Sequence, residues 1–134
     1  MKGYLLDTCI CVFLLRKQHN IADKLNKISP RNCYISEVTV AELKYGAYHS
    51  ANPKKNLDLV EQLIECVNVV PFAQCIDVYA QEKSRLRKMG LPIEDFDLLI
   101  GATAVALQLV LVTDNEKHFR NIDSLSVQNW VERQ

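Results

Sequence analysis

The stretch from Glu94 to Asn115 admits few folds, because it runs one helical pattern directly into a short apolar segment and carries acids at both ends. Pro92 bars a helix from starting earlier. A carboxylate at Asp95 or Asp97 suits a first helical turn, where unpaired N–H groups and the helix dipole favour negative charge. A helix is therefore expected to open near Asp95. Leu98, Leu99, Ala102, Val105 and Ala106 recur at helical spacing, and Gly101, Ala102 and Ala104 are small enough to let that helix lie close to a sheet. Leu109-Val110-Leu111-Val112 follows, an unalternating apolar run of the kind found in parallel strands covered on both faces, and it stops at Thr113-Asp114-Asn115. Asp114 is thereby expected at the carboxyl end of a strand, the edge of an open parallel sheet where ligands bind.

The rest of the chain repeats this grammar. Tyr4-Leu5-Leu6 reads as a strand ending in Asp7, with Thr8 as the cap of a helix whose buried stripe is Ile10, Phe13 and Leu14 and whose end is marked by Arg16, Lys17 and Gln18. A second short helix is expected over Ile21 to Ile28. Cys33-Tyr34-Ile35 forms a second strand, and Ser36 caps a helix in which Val40, Leu43 and Ala47 share a face beside Glu42. Asn52-Pro53 breaks that helix; Leu57, Val60, Leu63 and Ile64 set the period of the next, and Val67 to Pro71 is a third strand. A helical pattern then runs from Ile76 to Leu86 and ends by Gly90. Glu116 to Arg120 is a short basic helix or turn, and Leu125-Ser126-Val127, before Trp130, is an edge strand. Strands alternating with helices predict an α/β fold with a mostly parallel central sheet flanked by helices.

A chain of 134 residues has the size of one ordinary domain. Lysine plus arginine and aspartate plus glutamate both number 16, so no bulk field announces nucleic acid or an anionic membrane, and an anionic substrate must be handled locally. Five cysteines without C-x-x-C spacing predict reduced, buried thiols in a cytoplasmic protein rather than a disulfide framework or a zinc site. The apolar amino end is interrupted by Asp7 and lacks a small-residue cleavage site, so it reads as core. No stretch reaches the roughly 20 apolar residues that span a bilayer, and no membrane association is expected.

The chemistry then lies in the acids. Asp7 and Asp114 end two strands, Asp97 opens a helix, and Glu42 lies on a helix entered from the second strand; right-handed crossovers bring such ends to one edge. Carboxylates gathered that way raise one another's pKa unless a cation is present, and all-oxygen ligands suit Mg²⁺ or Mn²⁺. Each acid also has a plainer role: Asp7 a turn or cap, Asp97 a cap, Glu42 a surface acid near Lys44, Asp114 an Asx turn. His19, His49 and His118 read as surface residues. Tyr45, Tyr48, Leu57 and Val60 offer apolar surface for partner contacts or the core, and the core is favoured. Lys83, Arg85, Arg87 and Lys88, with Lys117, His118 and Arg120, are either a solvated face or a phosphate-contacting patch.

Leu5-Leu6-Asp7-Thr8, Ser36 through Ala47, Gly90-Leu91-Pro92-Ile93 through Asp97-Leu98-Leu99-Ile100, Leu111-Val112-Thr113-Asp114-Asn115, Phe119 and Trp130 together resemble the PIN-domain toxins of the VapC type, in order and across essentially the whole chain. The resemblance implies a single PIN-like domain and a metal-dependent endoribonuclease, the toxic member of a type II toxin–antitoxin pair. It implies that Asp7, Glu42 and Asp97 hold Mg²⁺, with Asp114 as a fourth, less uniform acid that orients water or assists a second ion. It further implies a homodimer and a VapB-type antitoxin lying across the acid site. Cys9 departs from the asparagine usual in the family, which touches a supporting hydrogen bond rather than the ligands, and Gly101 replaces a usual alanine, a change that packing should absorb.

Rival classes fit less well. A receiver domain needs an acidic pair after its first strand, a phosphoacceptor Asp ending its middle strand and a lysine after a later one, whereas Asp7 stands alone and the third strand ends in Pro71-Phe72. A haloacid dehalogenase-like phosphatase needs Asp-x-Asp, and Cys9 holds the second position. An inactive PIN-like interaction module has no need of all four acids.

Overall fold

The computed structural model describes residues 3–133. Five strands form one all-parallel sheet in the order β3-β2-β1-β4-β5, comprising β1 (Tyr4–Leu6), β2 (Cys33–Ser36), β3 (Asn68–Val70), β4 (Val110–Val112) and β5 (Val127–Gln128). The chain steps outward from β1 to β2 and β3, then returns to lay β4 on the other side of β1. The junction of β1 and β4 is thus where strand order reverses, the position at which parallel sheets open a crevice at their carboxyl ends.

Seven helices cover the sheet: α1 (Thr8–Leu15), α2 (Ile21–Ile28), α3 (Glu37–Tyr48), α4 (Pro53–Cys66), α5 (Ile76–Lys88), α6 (Asp95–Leu107) and α7 (Glu116–Phe119). Adjacent strand residues point to opposite faces, and both faces are packed. Leu6 and Val112 join Ile10, Ile35 and Leu63 on one side; Leu5 and Leu111 join Leu98, Ile100 and Phe119 on the other. That double burial is why the strand sequences do not alternate. Leu5, Leu6, Leu111 and Val112 are fully buried, each side chain contributing about 1.5–3 kcal/mol against exposure.

The helix that opens at Asp95 ends at Leu107, where Gln108 takes the left-handed conformation (φ 55°) and Leu109 N–H bonds to the Ala104 carbonyl, turning the chain directly into β4. Gly101 gives the room that lets Ile122 close on this helix: a Cβ there would lie 2.5 Å from Ile122 Cδ1.

Several local expectations need correcting. Asp7, not Thr8, caps α1, because its extended backbone leaves Oδ1 facing the Thr8 N–H. The buried residues of α1 are Ile10 and Cys11, with Phe13 and Leu14 only half-buried, since this short helix is wedged against α3 and α2 rather than laid along the sheet. Tyr45 and Tyr48 are each 68% exposed, on the face of α3 turned away from the sheet, so they are not core. Cys66 is exposed at the end of α4, and Cys9 is only partly buried. The edge strand runs over Val127–Gln128 rather than from Leu125, its ladder to β4 opening with the Leu111 N–H bond to the Ser126 carbonyl.

Candidate active site

Strand register builds the centre of the site. Leu6 pairs with Val112, so the next residues, Asp7 and Thr113, emerge side by side at the carboxyl edge. Asp7 N–H donates to the Val112 carbonyl at 2.9 Å, and Thr113 Oγ1 donates to Asp7 Oδ2 at 2.7 Å. Asp7 is 4% exposed, yet its carboxylate has partners on both oxygens, which makes burial of the charge tolerable. The crossover from β2 into α3 brings the second acid: Thr8 Oγ1 donates to Glu42 Oε1 at 2.7 Å and lies 3.1 Å from Thr39 Oγ1. One hydroxyl thus ties the residue after Asp7 to Glu42, some 34 positions along the chain.

Asp97 enters from the first turn of α6. Its carboxyl is held above the usual aspartate range, first by burial and then by the charges of Asp7 and Glu94. His118 on α7 offsets this in part, with Nδ1 3.4 Å from Asp97 Oδ2, so this histidine belongs to the site and is not merely surface. Asp95, by contrast, leaves the site: its Oδ1 accepts from Tyr79 Oη at 2.8 Å and Lys83 Nζ at 2.9 Å. Asp114 accepts from Arg133 and Asn129, and the arginine keeps its carboxyl below the usual range.

Asp7 and Glu42 are therefore bridged through Thr8, and Asp97 lies near enough to Asp7 to feel its charge, while Asp114 is turned to a separate cation. Among the described residues, no three carboxylate, imidazole or thiol side chains are close enough together to enclose an ion. Their chemistry nonetheless fits a hard divalent cation: carboxylate and hydroxyl oxygens gathered where no lysine or arginine forms an ion pair with them among the described residues.

Cys9 lies on the first turn of α1, two residues after Asp7. Its Sγ lies 3.6 Å from Asp7 Oδ2 and 3.8 Å from Thr113 Oγ1, and burial followed by the Asp7 charge pushes the thiol up to about 11. At neutral pH it is therefore a weak neutral donor to Asp7 rather than a thiolate ligand. Sequence reasoning missed the working role of Thr8, Thr39, Thr113 and His118; the pairs Asp7-Thr8 and Thr113-Asp114 were the available signal. The basic cluster is also partly spent internally, Lys83 on Asp95 and Arg85 on Glu82 at 2.7 Å.

Thr8 offers a direct check on this arrangement. Thr8→Val keeps the shape but removes the donor that holds Glu42 and the acceptor used by Thr39. Loss of a group orienting a ligand typically costs about 10–100-fold in metal affinity, and that decrease in Mn²⁺ affinity is expected here with urea stability changed by no more than about 1–3 kcal/mol. An Mn²⁺ affinity equal to wild type would remove Thr8 from the site.

An all-parallel α/β sheet with carboxylates at the reversal of strand order defines a class of open-sheet folds that bind ligands at this edge, and comparison with known proteins makes it specific. The chain belongs to the PIN domain family, whose pattern matches residues 4–125. It is 36% identical over 131 residues to ribonuclease VapC1 of Haemophilus influenzae, covering 96% of this chain and 98% of the relative. It is 30% identical over 132 residues to the tRNA(fMet)-specific endonuclease VapC of Shigella flexneri, covering 97% and 99%. The fold superposes on a chain of the DNA-bound VapBC complex from Salmonella typhimurium with a TM-score of 0.90 and 32% identity, over 97% of this chain and 99% of that one. Within the PIN family the chain is thus of the VapC type.

Proposed function

We propose that this protein is the ribonuclease toxin of a VapBC-type toxin–antitoxin pair and hydrolyses RNA phosphodiester bonds at the carboxyl edge of its sheet. The observation that carries the reading is the meeting of Asp7, Glu42 and Asp97, from three distant segments, at one edge without a lysine or arginine partner. These three acids would hold the metal, Mg²⁺ with Mn²⁺ as a substitute. When bound, that ion supplies the positive charge that activates water and offsets the charge developing on the phosphodiester.

The chain's own residues do the positioning. Thr113 and the Thr8 N–H fix the two oxygens of Asp7, and Thr8 Oγ1 fixes Glu42. Asp97 must lose its proton to act as a ligand, and its raised affinity for that proton sets the acid limb of the rate profile. Because protons and metal compete for this carboxyl, activation should fail on the acid side at a pH above that of an ordinary aspartate when rates are read at limiting Mn²⁺, and that limb should move to lower pH as Mn²⁺ is raised.

Two partners follow. A groove between α1, α3 and α4, lined by Leu15, Leu43, Gly46, Ala47 and Leu59, ends at Glu42, and it supports a VapB-type antitoxin segment reaching the acids. Phe72, Ile76 and Phe96 are 44%, 45% and 46% exposed on adjoining segments, an apolar face that supports a homodimer. No described helix is long and apolar enough to cross a membrane, and a cytoplasmic setting suits free thiols and an RNA substrate.

The deciding experiment combines cleavage of total cellular RNA by the purified protein in Mg²⁺ or Mn²⁺, with end sequencing, and a thermal melt with and without metal. Discrete new RNA ends that disappear with EDTA are expected, together with a metal-dependent rise in Tm, since a ligand bound only by the folded state stabilises it. A melt unmoved by metal, with the RNA left intact, would instead favour the inactive interaction module.

A further inference from the structure

Asp114 differs from the other three acids in already having a cation. Arg133 Nη1 donates to Asp114 Oδ1 at 2.9 Å and Nη2 to Oδ2 at 2.6 Å, the two-pronged contact of a guanidinium on a carboxylate, and Asn129 Nδ2 adds a third bond at 3.1 Å. An exposed ion pair between floppy side chains would mean little. Here the Arg133 side chain is itself exposed, but the Asp114 side chain is only 17% exposed, and the segment that delivers Arg133 is anchored at successive residues. Trp130 is 3% exposed, stacks obliquely on Tyr4 with ring centres 5.5 Å apart, and donates its indole N–H to Gln128 Oε1. Val131 N–H donates to Asn129 Oδ1 at 2.9 Å, and His19 Nδ1 lies 3.2 Å from the Glu132 carbonyl. His19 is itself held edge-on to Phe13 in a loop where Lys17, His19 and Asn20 are all left-handed (φ 57°, 58° and 56°), a conformation that L residues keep only when contacts impose it.

From this anchored bidentate contact we infer that Arg133 is the resident counter-ion of Asp114, which takes Asp114 out of the metal-ligand set and leaves Asp7, Glu42 and Asp97 to hold a single divalent ion. The inference rests on the proposed function. The contrast between the acids supports it: among the described residues, Asp7 and Glu42 have hydroxyl, thiol and backbone partners and Asp97 has His118, whereas both oxygens of Asp114 are occupied by an arginine. A divalent ion at Asp114 would have to break two charge-assisted bonds and sit beside a guanidinium of like charge. Asp114 is then a positioning residue, fixing the segment after β5 against the edge where Thr113 holds Asp7.

The test is Mn²⁺ binding to the metal-freed full chain, with stoichiometry from calorimetry and from loss of the free-ion EPR signal, and RNA cleavage scored on the same samples. Wild type should bind one ion. D114N should bind one ion within about threefold of wild-type affinity, while D97N should lose more than about tenfold, as expected on removing a direct ligand. R133A, with Asp114 freed, should take up a second, weaker ion that the double variant D114N/R133A lacks, and R133K, which retains the charge, should return to one. Two ions on an active wild type, loss of the first ion in D114N as severe as in D97N, or a single ion in R133A would each overturn the inference while leaving the ribonuclease reading in place. A wild type that neither binds Mn²⁺ nor cuts RNA would overturn both.

Discussion

Asp97→Asn should lower RNA cleavage by more than about 100-fold while raising the Tm of the metal-free protein at neutral pH. The two effects come from one cause. Asp97 is partly buried beside Asp7 and Glu94, and both burial and those charges make its ionised form unfavourable in the folded state. A carboxyl whose folded pKa lies above its unfolded value binds more protons folded than unfolded within that window. Stability is therefore lost as pH rises through it, and the loss persists at pH 7. Asparagine removes the charge and with it that loss, so the variant should melt higher and show a flatter pH dependence across this window. It also removes an anionic oxygen ligand, and changes even to the groups that support ligands cost about 10–100-fold, so a direct ligand should cost more. Added Mn²⁺ should raise the Tm of wild type and much less that of the variant. The measurements are cleavage rates and melts from acid to neutral pH; a folded variant that still cuts RNA at the wild-type rate would displace Asp97 from the metal set.

Phe119→Ala should destabilise the protein by about 3–5 kcal/mol, a large share of the 5–15 kcal/mol that holds a typical domain folded. Phe119 is the bulkiest of the fully buried side chains and lies in the layer with Leu98, Ile100, Leu111 and Ile122. Its removal leaves a cavity that the four-residue helix α7 is too short to collapse across. The same helix carries His118 against Asp97, so loss of this anchor should reach the site as well. Urea denaturation of wild type and variant measures the first effect. In variant samples kept well below their denaturation midpoint, a cleavage rate lower than the unfolded fraction explains would report the second. A cost below about 1 kcal/mol would mean that α7 is not held through this ring.

The family of the chain was legible from its acids because each one abuts an apolar run whose type could be read. Asp7 follows Leu5-Leu6 and Asp114 follows Leu111-Val112, runs fully buried in the folded protein, so their strand-end positions required no knowledge of partners. Ser36 marked a helix start through its own local bond, as capping residues do, while Asn52-Pro53, read as the break after α3, in fact caps and opens α4. Where burial depended on which element lay opposite, reading failed: Tyr45 and Tyr48 carry core-like side chains on a face of α3 that the described residues leave 68% exposed, and Phe13 yields its place on α1 to Cys11.

The sequence alone determined the order of strands and helices, the acids that end or begin them, and membership of a family, because these depend on local periodicity, caps and residue type. Only the tertiary structure decided how those acids are served: that Thr8 reaches Glu42 and Thr113 reaches Asp7, that His118 faces Asp97, and that Arg133 takes Asp114 for itself. Each of those contacts joins residues on different elements. Strand register and helix packing set such pairings, and no local pattern in the chain encodes them.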